Sequence, residues 1–319
     1  MGVLSELIGP PGATACHPVD PDTGLLIPGN YRRTLHAGCV GLVEDVAMSS
    51  RTVSGYETRH QLVVPYLGLF IYSAGGRSWL LDSNRILFVQ PGREFQDSHP
   101  LPGKGHAGII INIADTMLDE LLAGQPERRS AFAEGARPGS PALLLLVHRL
   151  LGDPGRHCDP LRQDELTIEV MRESFRAPHG LPSPRSSAVD RAKQLLHARA
   201  CEPLSLAEIA AETGVSAIYL TSEFKRAEGV PLYRYQMQLR IAQALLQLPH
   251  AQSITRLALD LGFSSHSHFT AAFRSFFGFT PSSYRTRHEP LHARKQRASR
   301  LMSIAPDQDG ARRQAPSQP

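Results

Sequence analysis

Three rhythms of apolar residues divide the chain. From about Gly38 to Asn112 they come in short runs: Gly38–Met48, Gln61–Tyr72, Ser78–Leu81, Ile86–Val89 and Gly108–Ile113. Turn residues separate the runs: Gly75-Gly76, Asp82-Ser-Asn84, Pro91-Gly92 and Pro102-Gly103. Short Val, Ile, Leu and Phe runs broken by such turns predict an antiparallel all-β unit, a barrel or jelly roll. Residues 140–151 and 160–176 then carry helical spacing, with Leu144, Val147 and Leu151 in the first and Leu161, Leu166, Ile168, Met171 and Phe175 in the second. The third rhythm, over 204–287, is helical throughout.

That last stretch contains one pattern twice, about 48 positions apart. The first copy runs Ile209-Ala210, Gly214, Leu220, Phe224, Gly229, Tyr235, and the second Leu257-Ala258, Gly262, Phe269, Phe273, Gly278, Tyr284. A repeated unit is a repeated structure. Ala210 and Ala258 let two helices approach. Gly214 and Gly262 permit the positive φ that ends a helix. Ser216 and Ser264 stand where the next helix needs an N-cap. At about 100° per residue, Leu220, Phe224 and Ala227 share one face and Ile218, Thr221, Ser222 and Lys225 the other. In the second copy Phe269, Phe273 and Phe276 point inward, and Ser267, Thr270, Ala271 and Arg274 outward. The spacing therefore predicts two helix–turn–helix units, each with a polar, basic reading helix, near 216–227 and 265–276. Between them Leu232–Leu248 predicts one helix, ended by Pro249, long enough to hold the reading helices about one DNA turn (~34 Å) apart.

At 188–287 the chain resembles the AraC/XylS family of bacterial transcription regulators. The strongest stretch is 254–285, with its Leu257-Ala258 pair, Gly262-Phe263, Ser265 and Ser267, Phe269 with Phe273-Arg274, Phe277-Gly278, Pro281 and Tyr284-Arg285. The resemblance implies double-stranded DNA and RNA polymerase as partners, and matches Arg240, Lys225 and Arg274 to family positions. It also implies a cupin-like N-terminal domain, similar here in strand rhythm and in the Val89-Gln-Pro-Gly92 turn, that binds an effector or dimerises. Helices at 140–176 would serve a homodimer on that reading, or pack on the chain's own barrel on the other. Ser222 and Ala271 depart from the family, which often has Arg there, so the recognised sequence does not carry over.

Length and charge fit this division. A chain of 319 residues suits two domains. Residues 185–287 carry a net +5 and residues 1–184 a net −4, a basic part joined to an acidic one. Expected boundaries are an N-terminal arm 1–30, an effector or dimerisation domain 31–178, a Pro/Ser linker 179–187, a DNA-binding domain 188–288 and a disordered tail 289–319. The start lacks a positive n-region and a long apolar core, so no signal peptide is expected. No apolar run reaches membrane-spanning length, so no membrane partner is expected. Cys16, Cys39, Cys158 and Cys201 form no C-x-x-C pair and read as reduced thiols of a cytoplasmic protein.

Other motifs fall away on context. Gly103-Lys-Gly-His-Ala-Gly108 spells a dinucleotide fingerprint but precedes a strand rather than a helix, and reads as a hairpin loop. His266 and His268 are two apart and do not share a helix face. A cupin-type metalloenzyme would need a His-x-His pair in the N-terminal half, where His36, His60, His99 and His106 stand alone. No cofactor, metal or catalytic residue is therefore expected. Arg59, His60, Tyr66 and Trp79 are candidates to line an effector pocket. The sequence-level reading is a DNA-binding regulator, an activator, that answers a small-molecule effector; the alternatives are one whose N-terminal domain only dimerises and, last, a cupin-type metalloenzyme with an attached DNA-binding domain. Expected DNA contacts are Ser216, Ile218, Thr221, Ser222, Lys225, Arg226 and Arg240, then Ser265, His266, Ser267, His268, Thr270, Ala271 and Arg274. Of these, Lys225, Arg226, Arg240 and Arg274 would hold phosphates.

Overall fold

The computed structural model describes residues 31–37, 41–47, 52–101, 104–151, 159–178 and 186–288. The expected arm, most of the linker and the tail lie outside the described residues.

The N-terminal part holds ten strands: β1 Tyr31–Ala37, β2 Gly41–Ala47, β3 Val53–Glu57, β4 His60–Gly68, β5 Phe70–Ala74, β6 Arg77–Leu81, β7 Arg85–Val89, β8 Arg93–Ser98, β9 His106–Ile113 and β10 Ala136–Pro138. They form two sheets, ordered β1-β2-β9-β4-β7-β10 and β3-β8-β5-β6. The pairings are antiparallel. Alternation explains the larger sheet. Leu42 and Val46 of β2, Leu62, Val64 and Tyr66 of β4, and Ile109, Ile111 and Ile113 of β9 all enter one core.

The structure corrects two sequence expectations here. The run Gln61–Tyr72 is two strands, because Gly68 turns at φ +80° with the Gly105 carbonyl against it, and β4 and β5 belong to different sheets. Gly103–Gly108 is not a hairpin loop. β8 pairs with β3 and β5 while β9 pairs with β2 and β4, so the chain crosses from one sheet to the other there. β1, β3, β8 and β10 escaped sequence reading. β8, Arg-Glu-Phe-Gln-Asp-Ser, is largely polar and none of its residues is buried.

Helices cover the inner face of the larger sheet: α1 Asp115–Leu121, a 3-10 turn Pro126–Arg129, α2 Ser130–Glu134, α3 Pro141–Leu151 and α4 Pro160–Arg176. The last two match the helices expected at 140–151 and 160–176. Leu143, Leu144 and Val147 of α3 and Leu166, Val170, Met171 and Phe175 of α4 are buried in the sheet's own core. That core also takes a polar set. Glu44 is fully buried and accepts a 2.7 Å hydrogen bond from Tyr66 Oη, and the Tyr66 ring meets His148 edge-on at 6.1 Å.

Seven helices follow: α5 Ser187–Ala198, α6 Leu206–Thr213, α7 Ala217–Glu228, α8 Leu232–Gln247, α9 Ile254–Asp260, α10 His266–Phe277 and α11 Pro281–His288. They split between two cores. Helices α5 to α7 share a small core of Val189, Leu196, Ile209, Leu220, Phe224, Tyr235 and Leu239. Helices α9 to α11 and the C-terminal half of α8 instead join the large core of the N-terminal sheet. Helix α8 belongs to both, through Tyr235 and Leu239 on one side and Met237, Ile241 and Leu245 on the other. Among the described residues no helix is long and apolar enough to cross a membrane.

Burial makes two histidines acid-labile elements. It pushes both His106 and His148 down to about 3, with smaller contributions from His99 and His288 respectively. A group whose folded pKa lies below its unfolded value binds more protons when unfolded, so stability falls as pH drops below the unfolded value of about 6.5. Each histidine is expected to cost about 1 kcal/mol between pH 6.5 and 5.5. Urea unfolding at the two pH values checks this, and His106→Phe should reduce the acid loss.

Candidate nucleic-acid interface

Each of two helix pairs is set by local signals. Helix α6 begins with a capping box in which Ser205 and Glu208 satisfy each other's backbone N–H, and it ends at Gly214 with φ +68°. Ser216 Oγ accepts from Tyr219 N at 3.2 Å and starts α7. In the second pair Ser253 caps α9, Gly262 turns at φ +80°, and α10 follows. Here the expected cap is corrected. Ser265, not Ser264, accepts from His268 N at 3.0 Å, and Ser264 Oγ instead bonds the His268 ring at 3.0 Å. The second turn holds one more residue than the first, so the period is 48 up to the glycine and 49 after it. Phe269, Phe273, Gly278 and Tyr284 all follow the longer count.

The inward faces are as the spacing implies. Leu220, Phe224, Phe269 and Phe273 are fully buried, while Ala227 and Phe276 are half-buried. The outward face of α7 presents Ile218, 82% exposed, with Thr221, Ser222, Lys225 and Arg226. Ser216 is exposed at its start. On α10, Ser265, His266, Ser267, Ala271 and Arg274 are exposed, and His266, Ser267, Thr270, Ala271 and Arg274 line one shallow concavity. Both faces have short side chains and a cation near the C-terminal end, a shape that admits a nucleic-acid groove and supplies phosphate contacts.

Three expected contacts sit differently. Arg240 is a correction. It is only 5% exposed, and its guanidinium donates to the carbonyls of Ala200 (2.9 Å), Gly262 (2.5 Å) and Glu202 (2.8 Å). Three of its donors are engaged inside the domain and the side chain is buried, so it organises the site rather than presenting a free cation to a phosphate. Thr270 is half-buried, with its hydroxyl oxygen enclosed rather than displayed. His268 is half-buried between Ser264 and Tyr233 Oη, which lies 3.3 Å from its Nε2. Arg226 stays exposed but its guanidinium is shared with Glu223 at 2.9 and 2.5 Å.

Sequence reasoning missed Tyr219 and Tyr233, which are 51% and 62% exposed beside these faces. The readable signal was an aromatic residue off the buried register of its helix. The candidate effector residues do not converge. Tyr66 lies in the large core, Trp79 packs against a separate cluster around Phe70 and Tyr72, His60 bonds Asp115 at 2.9 Å, and Arg59 is exposed. His99 and His106, isolated in sequence, meet at 2.8 Å with stacked rings.

Comparison with known proteins agrees with this geometry. A helix-turn-helix domain family matches residues 209–287. The HTH-type transcriptional regulator ArgR of Pseudomonas aeruginosa is 34% identical over 148 residues, 45% of this chain and 45% of its own. The regulatory protein PocR of Salmonella typhimurium is 30% identical over 105 residues, 33% of this chain and 35% of its own. The chain thus spans less than half the length of these curated relatives. Among solved structures, an AraC-type DNA-binding domain protein from Chromobacterium violaceum is 34% identical, covering 32% of this chain and 91% of that one at a TM-score of 0.30. ToxT from Vibrio cholerae is 13% identical, covering 77% and 98% at a TM-score of 0.32. Both turn glycines, α7, α9 and α10 fall inside the matched region, so residues 209–287 are an AraC-type helix-turn-helix domain, as in HTH-type transcriptional regulators.

Proposed function

We propose that the protein is a sequence-specific DNA-binding regulator of transcription that inserts α7 and α10 into successive major-groove faces. The observation that carries this reading is the duplicated, capped helix pair with an exposed polar face on each second helix. Lys225, Arg226 and Arg274 hold phosphates. Ser216, Thr221, Ser222, Ser265, His266 and Ser267 supply hydrogen bonds to base edges. Ile218 and Ala271 offer apolar contact to thymine methyls. His268, braced by Ser264 and Tyr233, positions the start of α10.

The N-terminal sheets form a jelly-roll, cupin-like domain that senses a small-molecule effector, and RNA polymerase is the downstream partner. An effector acts by favouring one arrangement of the two domains over another.

Arg274→Ala tests the interface. Arg274 is exposed in the last turn of α10. The expected result is weaker binding across all DNA sequences and a salt slope reduced by about one. Affinity measured at two salt concentrations decides it, and an unchanged slope removes Arg274 from the phosphate set.

A further inference from the structure

The corner between β6 and β7 carries a buried polar cluster that DNA reading does not use. Here the chain leaves the four-stranded sheet and enters the six-stranded one. Asp82 is fully buried. One of its oxygens accepts from Asn84 N at 2.8 Å, which shapes the turn. The other faces Tyr235 Oη, Lys193 Nζ at 3.1 Å and His197 Nε2 at 3.5 Å, all from the DNA-binding half. Lys193, 1% exposed, also donates to the Leu80 carbonyl at 3.1 Å and lies 3.3 Å from Glu228. Arg85 completes the set. Its guanidinium holds both Glu228 oxygens at 3.1 Å and the Ala227 carbonyl at 2.8 Å, at the last turn of α7.

Two acids and two bases balance, and the cluster is almost dry. Burial pushes the Asp82 carboxyl up, yet Lys193, His197 and Tyr235 hold it well below the usual carboxylate range. Such a cluster is poor glue, since apolar residues of the same volume often stabilise as well or better, but it is strict about geometry. The two helix pairs are therefore attached to the N-terminal domain by different physics. The second pair shares its apolar core with that domain, whereas the first pair keeps its own core and meets the domain through these charges and through Lys104, which donates to the His197 and Ala198 carbonyls at the end of α5 (3.2 and 2.7 Å).

We propose that the β6–β7 corner is a regulatory latch on the first reading helix: Arg85 holds α7 by its C-terminal end, Asp82 holds α5 through Lys193 and His197, and their release lets the first helix pair turn about α8 while the second stays seated. The corner joins the two sheets, so a ligand that alters their packing moves Asp82 and Arg85 directly. The consequence for DNA rests on the function proposed above; the latch itself does not.

Arg85→Ala in the full chain tests this by backbone amide hydrogen exchange, without DNA. Exchange in α5 and α7 is expected to rise at least tenfold, with α9 and α10 changed less than twofold. Equal acceleration in both pairs, or none, overturns the latch. Should Arg85→Ala fail to fold, Arg85→Lys keeps the charge but loses the fork on Glu228; at least a threefold rise confined to α5 and α7 is expected, and wild-type exchange overturns the proposal. On DNA selected by the wild-type protein, Arg85→Ala is expected to change affinity at least tenfold with an unchanged salt slope. A reduced slope with wild-type exchange would place Arg85 on DNA and overturn the latch.

Discussion

Arg240→Ala is expected to unfold the DNA-binding half long before it alters any contact with DNA. The guanidinium ties the α5–α6 connection, at Ala200 and Glu202, to the α9–α10 turn at Gly262, and it lies 5.9 Å from the Phe263 ring. One side chain on the shared helix α8 therefore fixes both helix pairs. Its removal leaves three carbonyls without their donor. Hydrogen bonds from a charged group contribute about 1.5–3 kcal/mol each, so losing three that do not add fully costs on the order of 4 kcal/mol. Against a total stability of roughly 5–15 kcal/mol, this is a large share. The melting temperature should fall by on the order of 10 °C. Arg240→Lys should recover only part, because an ammonium is a point donor and lacks the planar fork. Below the new melting temperature the folded variant should keep the wild-type salt slope; a slope lower by about one would return Arg240 to the phosphate contacts.

Gly262→Ala should be the next most damaging change, and its twin shows why. Gly214 and Gly262 occupy equivalent turns with φ of +68° and +80°. A methyl group on Gly214 meets nothing within 4 Å, so Gly214→Ala carries only the left-handed backbone cost of about 1–2 kcal/mol. A methyl group on Gly262 would run into the Cys201 carbonyl and come within 3.0 Å of the Arg240 guanidinium carbon. The backbone cost then adds to displacement of the carbonyl cluster that Arg240 organises, for about 3 kcal/mol or more. Denaturant unfolding of both variants separates the cases, and equal losses would contradict the close approach.

These residues also mark how far the sequence could be read. The helix pairs were legible because glycine, serine caps and i, i+4 aromatics are local signals, each with its own stereochemical reason. The slip from 48 to 49 was equally open to reading, since Ser265, Phe269, Phe273 and Gly278 share it, but a fixed-period alignment placed the cap on Ser264. Arg240 misled for a different reason. An arginine in a linking helix looks the same whether it faces phosphate or the carbonyls of Ala200, Glu202 and Gly262, and only the fold brings those together. In the N-terminal half, β2, β7 and β9 showed through their apolar runs. The polar strand β8 is defined by pairing with β3 and β5, which no local pattern encodes. The same holds for Asp82 and Lys193, 111 positions apart in sequence and 3.1 Å apart in the fold.

The central claim is that α7 and α10 read DNA together. Its most direct test is selection of genomic DNA fragments by the purified full chain, followed by footprinting at two salt concentrations. The account predicts two protected major-groove stretches about one helical turn, roughly 34 Å, apart, with affinity that falls in salt while sequence preference remains. Binding without sequence preference that collapses in salt would contradict it.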